Sequence, residues 1–163
     1  MNRIMMLVAV AAFALAAGAC SIDVELNDDG SLQIETVLTE QTVQEQFTKG
    51  IDDPLVTSLT VDMKPGYALV DMERTAESGR GTDTVSFKVE LFVDNGHLGV
   101  NITDAVWNDI DIPQDLIDIW NQEIAIDLEE EAKEDPDSTL VAVDFTETSL
   151  NMEFHIETDE SKS

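Results

Sequence analysis

Residues 85–102 read Val85-Ser86-Phe87-Lys88-Val89-Glu90-Leu91-Phe92-Val93-Asp94-Asn95-Gly96-His97-Leu98-Gly99-Val100-Asn101-Ile102. Val85, Phe87, Val89, Leu91 and Val93 stand at strict two-residue spacing, which in an extended chain puts all five on one face. Asp94-Asn95-Gly96 follows, with residues that tolerate the positive φ a two-residue hairpin turn requires. Leu98, Val100 and Ile102 then resume the alternation. The stretch predicts two long antiparallel strands, and with them a domain built on β-sheet.

The pattern repeats on both sides. Ile22, Val24 and Leu26 alternate up to the turn Asn27-Asp28-Asp29-Gly30, and Leu32 and Ile34 restart it as far as about Leu38, a first hairpin. A short helix follows, with Thr42 and Glu45 at capping-box spacing, Val43 and Phe47 on one face and Gly50 at its end. Asp52-Asp53-Pro54 breaks the chain. Leu59, Val61 and Met63 run into Lys64-Pro65-Gly66, and Ala68, Val70 and Met72 return; residues 78–82 are a glycine-containing loop. Residues 107–112 read as an irregular connection.

Pro113 suits the first turn of a helix, where a missing N–H costs nothing. Leu116, Trp120, Ile124 and Leu128 recur every four residues with Ile117 beside them, predicting an amphipathic helix to about Lys133. Acids crowd its C-terminal end, against the macrodipole, so the last turn should fray before Pro136. Val141, Val143 and Phe145, then Leu150, Met152, Phe154 and Ile156, give two closing strands. The order is ββ-α-ββββ-α-ββ, an α+β domain whose mostly antiparallel sheet is expected to pack on one long amphipathic helix.

The N-terminus has a different character. Met1-Asn2-Arg3 precedes an apolar run from Ile4 to Phe13, then Leu15-Ala16-Ala17-Gly18-Ala19-Cys20, where Cys20 is the only cysteine. A basic start, an apolar core and small residues before a cut site are the parts of a secretion signal. The segment resembles bacterial lipoprotein precursors, which are cleaved just before a cysteine that carries diacylglycerol. Ala17 departs from the leucine most common three places before that cysteine. The resemblance implies cleavage after Ala19, lipidation of Cys20 and a membrane anchor there, in the cytoplasmic or an outer membrane; the alternative is ordinary secretion with cleavage near Ala17 or Ala19, which leaves a free thiol. Residues 1–19 are then signal peptide, 20–158 one extracytoplasmic domain, and 159–163 a polar, disordered tail.

Removing residues 1–19 from the 163 leaves 144, enough for one core. It also removes Arg3, so a formal charge of −27 becomes −28. Such a field repels nucleic-acid phosphates, which excludes nucleic-acid binding, and its self-repulsion is relieved by salt, as in a halophilic setting. With Cys20 committed to the anchor there is no disulfide and no Cys/His nucleophile.

His97 and His155 fall between apolar alternating residues, on the wet faces of their strands, and no Gly-x-Ser-x-Gly elbow occurs. An EF-hand loop placed through Gly30 would begin at Glu25 and end at Thr36, neither fitting the ligand pattern. Asn108-Asp109-Ile110-Asp111 is a second acidic cluster without a defined ligand set. Carboxylates are too abundant for any one pair to indicate glycoside hydrolysis. No catalytic residue, metal ligand or cofactor is assigned, and the chain reads as non-enzymatic.

Apolar residues off the main faces are the remaining candidates. Tyr67 and Leu69 oppose Ala68, Val70 and Met72; Phe92 opposes Leu91 and Val93; Ile119 and Ile126 form a second stripe beside the main one on the long helix. Together they suggest an apolar groove for a lipid or other amphipathic ligand. Cys20 followed by Ile22, Val24, Leu26 and the Asn27–Gly30 turn resembles the start of LppM-type lipoproteins of actinobacteria, without their C-terminal membrane segment. From about Leu59 to Ile156, the Asn95-Gly96 hairpin, Ile112-Pro113, the Leu116 helix and two strands are similar in pattern to small bacterial TULIP-like domains. That resemblance implies a curved sheet around a long helix with a lipid-binding groove. The expected function is a membrane-anchored lipoprotein of the cell envelope that binds such a ligand; the alternative is a structural or assembly lipoprotein acting through protein contacts.

Overall fold

The computed structural model describes residues 21–50, 53–133 and 138–158. The expected signal segment (residues 1–19), Cys20, Pro136 and the residues after Thr158 lie outside the described residues. The strands are β1 (Ser21–Leu26), β2 (Leu32–Thr39), β3 (Val56–Lys64), β4 (Tyr67–Thr75), β5 (Thr82–Asp94), β6 (His97–Trp107), β7 (Ile110–Asp111), β8 (Ser138–Phe145) and β9 (Ser149–Ile156). Helix α1 (Glu40–Gly50) lies between β2 and β3, and α2 (Gln114–Ala132) between β7 and β8.

The element order is the expected one with β7 added inside the connection read as irregular. The architecture differs. There is not one sheet on one helix but two antiparallel sheets, sheet 1 in the order β1-β2-β9-β8 and sheet 2 in the order β3-β4-β5-β6-β7. Sheet 2 is a meander of sequence neighbours. Sheet 1 joins the two ends of the chain, with Leu32 opposite Ile156 and Leu38 opposite Leu150.

Side chains and turns explain why the sheets stay separate, because they occupy the edges on which the two could have merged. On the outer edge of β3, Gln44 of α1 accepts from Val61 N–H (2.6 Å) and donates to Leu59 C=O, and Glu40 accepts from Met63 N–H (3.0 Å). On β6, Asn121 of α2 accepts from Ile102 N–H (2.7 Å) and donates to Ile102 C=O and to the Asn101 side chain (both 3.0 Å). On β8, Leu140 N–H reaches Gly96 C=O (2.7 Å), and Gly66 N–H reaches Phe145 C=O (2.9 Å). The hairpin turns of sheet 2 therefore abut the free edge of β8.

Local chemistry sets the boundaries. Asn95 (φ 51°) and Gly96 (φ 83°) supply the two positive φ values of the β5–β6 turn. The cap of α1 is Thr39, whose hydroxyl accepts from Thr42 N–H (3.3 Å), rather than Thr42 itself; the helix starts earlier than the capping-box spacing suggested. Pro113 C=O accepts from Leu116 and Ile117 N–H (3.0 and 3.2 Å), so the proline precedes α2 and closes its first turn.

One core joins both sheets and both helices. It includes Leu38, Val43, Val70, Val89, Ile124 and Leu150, all at or near zero exposure. Each such side chain contributes about 1.5–3 kcal/mol by leaving water. The alternating faces read from the sequence, Val85-Phe87-Val89 and Val61-Met63, are the buried ones.

Candidate functional site

Sheet 1 has two unlike faces, and its open apolar side is the surface that stands out. Pairing sets the rows across it: Ile22 faces Thr36, Val24 faces Ile34 and Leu26 faces Leu32, while Ile34 faces Phe154 and Leu32 faces Ile156. Because alternate residues share a face, these side chains make one apolar plane. Its inner end, at Leu38 and Leu150, is buried in the core. Among the described residues nothing packs over its outer end: Ile22 is 54% exposed, Val24 53% and Leu26 73%, beside half-buried Leu32, Ile34 and Ile156. Three large aliphatic side chains in one row exceed the scattered exposure normal for a surface.

The reverse face is acidic. Asp23 stands opposite Glu35, and Glu35 opposite Glu153. Like charges directly opposed across a sheet are unfavourable. Gln33 offsets part of this by donating to Glu153 (2.9 Å). Sheet 1 is thus amphipathic through its thickness.

The turn that ends β1 is satisfied from within. Asn27 N–H donates to Ser31 C=O (2.9 Å), Gly30 N–H to Asn27 C=O (3.0 Å), and Thr158 Oγ1 to Gly30 C=O (2.7 Å). Asp29 Oδ1 accepts from both Ser31 Oγ (2.6 Å) and Ser31 N–H (3.0 Å). These bonds, the hydroxyl first, hold the Asp29 carboxyl below its usual value of 3.8. No group of three or more His, Cys, Asp or Glu side chains among the described residues is arranged to hold a metal ion.

The residues expected to line a groove fall on three elements, β4, β5 and α2. Tyr67 and Leu69 are half-buried on the outer face of β4, and Phe92, 46% exposed, is on the outer face of β5. Leu69 is opposite Lys88, whose ammonium lies 5.1 Å from the Tyr67 ring centroid and 2.6 Å from Asp104. Asp104 has φ 51° and sits in a bulge, where pairing shifts between Ser86 and Lys88. The hydrogen bond to Asp104 holds the Lys88 ammonium above its usual 10.5. The Phe92 ring covers Gly99, directly opposite it on β6.

Ile119 and Ile126, each 50% exposed, are on α2, about half a helical turn from the buried Ile117, Ile124 and Leu128. They stand on the far side of that helix rather than beside its main stripe. The structure brings Tyr67, Leu69 and Phe92 to one sheet face and leaves Ile119 and Ile126 apart from them.

Arg74 was not singled out from the sequence, although it continues the alternation Ala68, Val70, Met72. It is 7% exposed at the end of the core face of β4. Its guanidinium lies 5.8 Å from the Trp107 ring centroid, 3.9 Å from Asp53 and 3.6 Å from Glu77. Nε has no hydrogen-bond partner among the described residues. Acids of its own chain are its partners, so it serves as a cationic stopper to the core. His97 and His155 are on different sheets, on β6 and β9.

These features define a two-sheet antiparallel α+β domain with an open apolar strand face at its N-terminal edge. No family model matches the chain, and no curated protein or solved structure matches it either. No helix among the described residues is long and apolar enough to cross a membrane.

Proposed function

We propose that the protein is a bacterial lipoprotein, anchored outside the cytoplasm through Cys20, that acts without catalysis by binding lipid or another amphipathic ligand in the cell envelope. The observation that carries this reading is adjacency. The lipobox-like cysteine stands one residue before β1, and β1 presents Ile22, Val24 and Leu26 uncovered. An anchor of two acyl chains is enough for stable attachment, since each buried CH₂ contributes about 0.8 kcal/mol. The acidic domain adds no attraction to anionic headgroups.

The test is Cys20→Ser, compared with the parent by membrane fractionation after a high-salt wash. The parent stays with the membrane and its Cys20 peptide carries a diacylglyceryl mass; the variant is released. A variant that still pelleted would refute the anchor. Native mass spectrometry of the protein then separates ligand binding from the assembly alternative: a co-purifying lipid supports the first, and oligomers with no adduct support the second.

A further inference from the structure

The open apolar face of sheet 1 calls for an occupant, and the chain leading into it restricts the choice. Between Cys20 and the first strand there is no linker: β1 begins at Ser21. At about 3.3 Å per residue, Ile22 lies roughly 7 Å along the chain from Cys20 and Leu26 roughly 20 Å. All three exposed side chains of β1 are therefore within reach of the surface in which an acylated Cys20 is embedded.

Charge sets the orientation. The reverse face carries the row Asp23, Glu35, Glu153, which strongly resists burial, while the apolar plane is uncharged. A second copy is a poorer occupant, because it brings the same formal −28 to the contact. An uncharged acyl–headgroup boundary meets the face without that repulsion.

We propose that this face is a lipid-docking surface: β1, with Leu32, Ile34 and Ile156 beside it, lies on the bilayer that holds Cys20 and turns the acidic face of sheet 1 outward. The proposal rests on the anchoring of Cys20. It predicts strand periodicity in lipid contact. Residues 22, 24 and 26 touch lipid, whereas 23 and 25 do not.

The chain's single cysteine makes this measurable, since lipidation consumes its sulfur in a thioether. Cysteines are introduced one at a time at positions 22 to 26 in the lipidated protein, labelled with a polarity-sensitive fluorophore, and reconstituted in phosphatidylcholine vesicles containing doxyl-labelled lipid. These sites are exposed, so the substitutions leave the core intact; a circular dichroism melt checks each variant. The expected result is quenching at 22, 24 and 26 about threefold or more above that at 23 and 25, following the alternation of side chains. Equal quenching at all five positions, or none, overturns the docking while the adduct on Cys20 keeps the anchor. Labels at 24 and 26 that are shielded yet unquenched, with energy transfer between copies, overturn it in favour of self-association. Absence of the adduct overturns anchor and docking together.

Discussion

Replacing Asn121 with alanine isolates the joint between α2 and sheet 2. The amide bonds both backbone groups of Ile102, a residue 4% exposed, and also the Asn101 side chain. Truncation leaves a buried N–H and a buried C=O without their partner, at about 1–3 kcal/mol each. Asn121 is itself only half-buried, so water recovers part of the loss, and the lower half of that range applies. The expected destabilisation is about 2–4 kcal/mol, which for a domain of this size lowers the melting temperature by about 6–15 °C. Asn121→Asp keeps an acceptor for Ile102 N–H but loses the donor, and should fall between parent and alanine variant. Gln122→Ala, on the exposed side of the same helix, should change stability by less than about 0.5 kcal/mol. Thermal melts by circular dichroism suffice. An Asn121→Ala variant melting within about 2 °C of the parent would refute the reasoning, because the amide would then be replaceable by solvent.

Gly99→Ala places a methyl against the Phe92 ring, and moving that half-exposed ring should cost about 1–2 kcal/mol. In a Phe92→Ala background the same change should cost nearly nothing, and a double-mutant cycle with equal losses in both backgrounds would contradict the contact. Asp29 has a lowered pKa, so its contribution to the β1–β2 turn is present above its unfolded value and is lost as pH falls through the lowered one. Ser31→Ala should raise the Asp29 titration toward 3.8, as followed by carboxyl chemical shifts; an unmoved titration would remove the hydroxyl as the cause.

The strands were legible because a two-residue period survives in a single sequence. Val85 to Val93, the Asn95-Gly96 turn and the Leu116–Leu128 helix all lie where the periodicity put them. Pairing was not legible, since alternation says that a strand has a face but not which strand lies beside it. Leu32 meets Ile156 across most of the chain, and no local signal marks that meeting. The edge-covering roles of Gln44 and Asn121 were also hidden, because a single polar residue on a helix ordinarily faces water. The same limit applies to the candidate surface. Ile22-Val24-Leu26 and Val85-Phe87-Val89 have the same pattern, yet the first row is uncovered and the second lies in the core. What packs over the row makes the difference, and that is a property of the fold.

The pairing of β2 with β9 has a consequence for the order of assembly. Sheet 2 is made of neighbours in sequence, so each hairpin closes a short loop at small entropic cost. Sheet 1 is completed only when residues 149–156 return to residues 32–39, the longest closure among the described strand pairings. Non-local pairing of this kind slows folding. The meander is the natural nucleus, and the N-terminal hairpin stays a two-stranded ribbon, marginal by itself, until the last strand has been made. The segment nearest Cys20 is thus the last part of the domain to become rigid, and its final shape depends on the opposite end of the chain.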